Sequence, residues 1–129
     1  MRVMALDYGS ARCGCAISDP TGTLATPLSA FSPPEIGEIA EVARDREADL
    51  VIVGLPVGLS GEEGEQARLT RAFANELGEH LQVPVETYDE RLTTAMAART
   101  AREGARADED SLAAAHLLES YLASKGGAA

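Results

Sequence analysis

Short apolar runs that stop in turn residues, followed by segments of helical spacing, leave this chain few folds. Residues 1–7 read as a buried strand, and residues 12–18 as a second across a tight turn at Gly9-Ser10. A third, residues 23–30, follows the Asp19-Pro20-Thr21-Gly22 turn. Three strands on short turns form an antiparallel meander. The pattern then changes period. Ser32-Pro33-Pro34-Glu35 opens a helix whose Ile36, Ile39, Ala40 and Ala43 recur at helical spacing. Residues 50–53 form a buried strand closed by Gly54 and Pro56, and a Gly-containing loop over 58–64 follows. A helix over 65–81 offers Ala67, Phe73, Ala74 and Leu77 to one face, and residues 83–88 form a fifth strand. Helices over 92–102 and 111–123 flank the Gly104 region, and residues 125–129 read as a frayed tail. The order β-β-β-α-β-α-β-α-α predicts an α/β protein with a five-stranded mixed sheet flanked by helices. One domain over residues 1–124 suits a chain of 129 residues with 45% hydrophobic content.

No apolar stretch approaches the ~20 residues that span a bilayer, and the first residues show no secretory pattern. Cys13 and Cys15 alternate with Gly14, so they share one strand face and read as structural thiols of a reducing cytoplasm. The net charge is −10, which by itself opposes phosphate binding. All but one of the basic residues are Arg, the type suited to bidentate phosphate contacts.

Acids stand where an open α/β sheet forms its functional crevice, at the carboxyl ends of the strands. The first strand ends in Asp7, the fifth in Asp89-Glu90-Arg91, and Asp110 opens the last helix. On that helix Asp110, Ala113, Ala114, Leu117 and Tyr121 share a face. With the first strand central, Asp7 and Glu90 reach one edge of the sheet. Each acid has a plainer explanation: Asp7 as a turn residue, Asp89-Glu90 as the start of a helix, and Asp108-Glu109-Asp110 as a capping cluster with Asp110 or Ser111 as the cap. Together they suit a hard cation, since carboxylates without His or Cys favour Mg²⁺ or Mn²⁺. Such a cluster supports hydrolysis of a phosphodiester. Arg91 either pairs with a nearby acid, or holds a metal-binding carboxylate or meets a phosphate. Arg99, Arg102 and Arg106 form one helical stripe, and Arg68 and Arg71 a smaller pair; a solvated face is the ordinary meaning of both. His80 and His116 have no evident partner for catalysis.

The segments "LDYGSARCGCAISDPTG", "VIVGLPVGLSGEEGEQA", "VPVETYDERLTT" and "DSLAAAHLLESYL" occur in the order that resembles the YqgF family, also called RuvX. The resemblance runs from Met1 to about Leu122. It implies a RuvC-like protein of the ribonuclease H-like fold and a Mg²⁺- or Mn²⁺-dependent nuclease with Asp7, Glu90 and Asp110 as site and metal ligands. The substrate it implies is either a Holliday junction, cut by a resolvase in DNA recombination, or the 5′ end of pre-16S rRNA, matured in ribosome biogenesis. Junction resolution calls for two sites related by two-fold symmetry, which would make a homodimer a partner. Arg12, Arg91, Arg99, Arg102 and Arg106 are the candidate nucleic-acid contacts, and Asp108 a candidate fourth carboxylate.

The chain also departs from the family's pattern. Ala11-Arg12 stands where Lys-Arg is frequent, Ser60-Gly61 where Asp-Gly is frequent, and "REGARADED" where the family is often strongly basic. RuvC proper carries an acid after the fourth strand, where this chain has "GLP". The charge and the missing cations favour a second reading, a non-catalytic module that binds nucleic acid or a ribosome-maturation partner. An actin-like phosphotransferase would need a second nucleotide-binding domain that the chain is too short to supply.

Overall fold

The computed structural model describes residues 1–58, 60–92 and 107–126, and among these the side chains of all but 92, 107–110 and 126. The strands are β1 (Val3–Tyr8), β2 (Cys13–Ser18), β3 (Ala25–Phe31), β4 (Leu50–Leu55) and β5 (Val85–Asp89). They form one sheet in the order β3-β2-β1-β4-β5. β2 is antiparallel to β1 and β3, whereas β4 is parallel to β1 and β5. The meander lies on one side of β1 and the crossover strands on the other, so β1 is central as expected. The helices are α1 (Ile36–Asp45), α2 (Glu65–Glu79) and α3 (Ala107–Gly126).

Alternation along β1 divides the core in two. Met4 and Leu6 pack with Val51, Val53, Ile39 of α1 and Phe73 and Leu77 of α2. Val3 and Ala5 pack on the other side with Ile52 and with Ala114, Leu117, Leu118 and Tyr121 of α3. A sheet covered on both faces needs strands apolar on both sides, which is why β1 and β4 read as continuous apolar runs. The alanines of α3 let it lie close on the sheet. Its start is fastened by a buried hydrogen bond in which the Cys15 N–H donates to Ser111 Oγ at 3.1 Å. Buried Ser18 is likewise satisfied, accepting from Val3 N–H at 2.8 Å.

The structure moves several expected boundaries. β4 does not stop at Gly54 but continues to Leu55, and Gly54 pairs with Tyr88. β5 begins at Val85 rather than 83, after Pro84, which has no N–H for a ladder. α1 begins at Ile36 with Glu35 as its N-cap. α2 ends at Glu79, with His80 as its C-cap. The last helix starts at Ala107, so Asp110 and Ser111 belong to its first turns and neither is its cap. It runs on through Lys125 to Gly126. Glu90 opens not an α-helix but a single 3-10 turn, Glu90–Leu92. The remainder of the helix expected over 92–102 and the Gly104 region lie outside the described residues.

Two sequence features become structural here. Cys13 and Cys15 are buried free thiols on the same side of the sheet. Burial pushes the Cys15 thiol up to about 12, so it is no nucleophile. Asp19, the acid that ends β2, closes the β2–β3 turn: its Oδ1 accepts from Thr23 N–H at 2.7 Å and Leu24 N–H at 2.9 Å. Together with a hydrogen bond from the Thr21 hydroxyl, those bonds hold its carboxyl well below the usual range.

Ser111→Ala removes the acceptor for the buried Cys15 N–H. It is expected to lower stability by about 1–3 kcal/mol in urea denaturation, with the fold retained in circular dichroism.

Candidate active site

Asp7 stands at the carboxyl end of the central strand and is 5% exposed. Side chains alternate along a strand, so Asp7 shares the α3 face with Val3 and Ala5. In β2 it is paired with Gly14. On the other side the last paired row of β1 and β4 is Leu6–Val53, so Asp7 and Gly54 stand together one residue beyond it.

Glu90 follows β5 and is fully buried. Its carboxyl lies over Gly54, beneath Leu117 of α3. A Cβ placed on Gly54 would stand 2.7 Å from Glu90 Oε1 and 3.1 Å from Leu117 Cδ2. Asp7 and the Glu90 carboxyl thus flank one glycine on one face of the sheet. Burial pushes the Glu90 carboxyl up from its ordinary 4.5 to about 7, and the charge of neighbouring Asp89 acts in the same direction.

Asp110 lies in the first turn of α3. The next residue, Ser111, bonds Cys15, which is adjacent to Gly14, the partner of Asp7. The backbone therefore brings position 110 to the end of β1 where Asp7 stands. The side chains of Asp110 and Asp108 are outside the described set. Among the described residues no group of three metal-ligating side chains forms.

An open depression of about 420 Å³ lies at this edge, lined by Asp7, Tyr8, the Gly9–Arg12 turn and Gln66 of α2. Tyr8 stacks on Phe73 with ring centroids 4.2 Å apart. Arg12, half-buried, lines this depression with Asp7. Arg91 pairs with a nearby acid: its guanidinium donates to Asp89 from Nη2 at 2.7 Å and from Nε at 3.0 Å. It also reaches the Gly58 carbonyl at 3.4 Å, tying the loop after β4 to the turn that carries Glu90. Arg71 and Arg68 are engaged in exposed pairs with Glu63 and Glu65. His80 and His116 are exposed, and His116 Nδ1 lies 3.2 Å from Glu119. Arg99, Arg102 and Arg106 lie outside the described residues.

The residue that sequence reasoning passed over is Gly54, which there reads as a strand stop. A glycine inside an apolar strand marks a close approach by another group, and here that group is the Glu90 carboxyl.

Residues 1–124 match the family model described as "RuvX: Holliday junction resolvase". The chain belongs to the RuvX family. A relative from Chloroflexus aurantiacus, named "Putative pre-16S rRNA nuclease", is 38% identical over 130 residues, covering 93% of this chain and 85% of its own. A relative of the same name from Rhodococcus erythropolis is 41% identical over 136 residues, covering 94% of this chain and 77% of its own. Among solved structures, Thermus thermophilus RuvC superposes with a TM-score of 0.56 at 20% identity, over 98% of this chain and 97% of RuvC. The fowlpox virus Holliday junction resolvase gives 0.54 at 14% identity, over 96% of this chain and 99% of the viral protein. At these identities the likeness shows the fold, and it is the ribonuclease H-like fold of RuvC-like resolvases.

In this RuvX-family chain the pKa of Glu90 makes a prediction about stability. Between 4.5 and about 7 the folded protein holds a proton on Glu90 that the unfolded chain has released. Stability without metal therefore falls as pH rises through that window, by on the order of 3 kcal/mol. Urea melts in chelator from pH 4.5 to 8 are expected to show this slope, and Glu90→Gln to flatten it.

Proposed function

We propose that this chain is a metal-dependent endonuclease that hydrolyses phosphodiester bonds in structured nucleic acid, with Asp7, Glu90 and Asp110 as its site. The observation that carries the reading is the burial of Asp7 and Glu90 on one face, at the ends of β1 and β5 on either side of Gly54 of β4, under the helix whose first turn holds Asp110. A merely structural acid at a turn looks like Asp19, held at the surface and satisfied by local N–H groups. The family's description and its relatives' names support the same reaction class.

The residues present fit a divalent cation. The donors are carboxylate oxygens with no His or Cys, which suits Mg²⁺ or Mn²⁺. A carboxylate buried as deeply as Glu90 carries its charge at high cost without a cation nearby. Asp7, Glu90 and Asp110 would hold the ion, which when bound supplies an activated water and charge stabilisation at a phosphodiester. The chain's own residues do the rest. β1 and the 3-10 turn fix two carboxylates on rigid elements. The Asp89–Arg91 pair steadies the turn, and Arg12 lines the depression with Asp7.

Part of the net charge of −10 lies away from the proposed site. Glu41 and Asp45 of α1 and Glu76 and Glu79 of α2 are exposed on the layer across the sheet from Glu90. Screening over about 8 Å at physiological salt confines their influence largely to that layer. Arg99, Arg102 and Arg106 are our candidates for a local cationic groove. We read the setting as cytoplasmic, from the two free thiols.

The substrate is four-way junction DNA or the precursor end of 16S rRNA, the two named among relatives. The charge favours one competing reading, a binding module without cleavage. Incubating both substrates with Mn²⁺, Mg²⁺ or chelator separates them. We expect metal-dependent cutting of one, lowered about 100-fold or more in Asp7→Asn, with folding unchanged. Cutting by Asp7→Asn at the wild-type rate would refute the site. Changing Arg99, Arg102 and Arg106 to Glu should weaken binding and reduce its salt slope by about one unit for each phosphate no longer neutralised.

A further inference from the structure

Gly54 is the last residue but one of a regular strand, β4. Gly22 and Gly61 are the glycines with positive φ among the described residues, and Gly54 is not one of them. Nothing in its backbone conformation requires glycine. Its ladder partner in β5 is Tyr88, as for any strand residue.

What requires glycine is the space on the α3 face. A methyl at position 54 would stand 2.7 Å from Oε1 and 3.1 Å from Cγ of Glu90, and 3.1 Å from Cδ2 of Leu117. Contacts so short force a displacement. Glu90 and Leu117 are both 0% exposed, so neither can turn aside into solvent without opening the core. Leu117 is held in the α3 core cluster with Ile52 and Ala114. The carboxyl of Glu90 is therefore the part that would move.

We propose that Gly54 is a positioning residue: by leaving its face of β4 empty it seats the Glu90 carboxylate beside the Asp7 row. β4 supplies space, and the turn after β5 reaches across with the acid. The inference rests on the metal-dependent nuclease reading for its link to catalysis, but the contact itself can be tested without metal.

The experiment compares wild type, Gly54→Ala, Glu90→Ala and Glu90→Asp, and each Glu90 change combined with Gly54→Ala. The first readout is the urea midpoint in chelator. Gly54→Ala is expected to lower the midpoint of wild type. In the Glu90→Ala background it should leave the midpoint unchanged or raise it, because the new methyl enters space the carboxyl has left. An equal fall in both backgrounds would overturn the proposal, since the clash would then lie elsewhere. If Gly54→Ala alone is insoluble, recovery of a folded protein by adding Glu90→Ala supports the contact, and failure to recover opposes it.

The second readout is binding of MnCl₂ by calorimetry. Gly54→Ala should weaken it by about 10-fold or more, and adding Glu90→Asp, a shorter acid, should restore part of that affinity. A merely structural glycine would show no such rescue, and wild-type Mn²⁺ affinity in Gly54→Ala would overturn the positioning role. If wild type itself neither binds Mn²⁺ nor cuts nucleic acid with it, the nuclease reading fails. The urea comparison still decides whether Gly54 seats Glu90.

Discussion

A carboxylate closed off from water organises this structure. Glu90 is fully buried between β4 and α3, where its charged form is disfavoured and its proton is retained to about 7. Keeping a carboxyl there requires three things at once. β4 must present no side chain, which Gly54 provides. α3 must lie close, which its alanines and the Ser111–Cys15 bond allow. The turn after β5 must hold its shape, which the Asp89–Arg91 pair enforces. Stability is given up locally to keep an acid where a soluble turn would not hold it, the usual mark of a site rather than a scaffold.

The exposed acids of α1 and α2 face away from the α3 side of the sheet, whereas Asp7 and Glu90 are directed to it. Arg68 and Arg71 are engaged in surface pairs with Glu65 and Glu63, Arg91 braces the turn that carries Glu90, and Arg12 lines the depression beside Asp7. Charges on the α1 and α2 layer are screened over about 8 Å at physiological salt, so they weigh little on the α3 side.

Several elements are legible in the sequence. Apolar runs on tight turns, then strands alternating with helical spacing, require a meander joined to parallel crossovers, and so a central β1. Once β1 is central, its terminal acid must lie at the crevice, so Asp7 is legible too. Asp19 is legible as a turn residue, since it opens the Asp19-Pro20-Thr21-Gly22 segment, and its carboxyl does close that turn. Gly54 is misread. A glycine that ends a strand and a glycine that admits a neighbour are identical letters, and the neighbour, Glu90, is thirty-six positions away.

Local interactions determined what depends on nearest neighbours: which residues are extended, which are helical, and which acids end a strand. Tertiary packing alone decided the rest. It carried β4 through Gly54, started α3 at Ala107 rather than at an Asp or Ser cap, and brought Glu90 over the glycine next to Asp7. These outcomes turn on burial and on contacts between residues far apart in the chain. The cost of placing a carboxyl at position 90 is set by the strand and helix that enclose it, and no pattern within its own segment contains them.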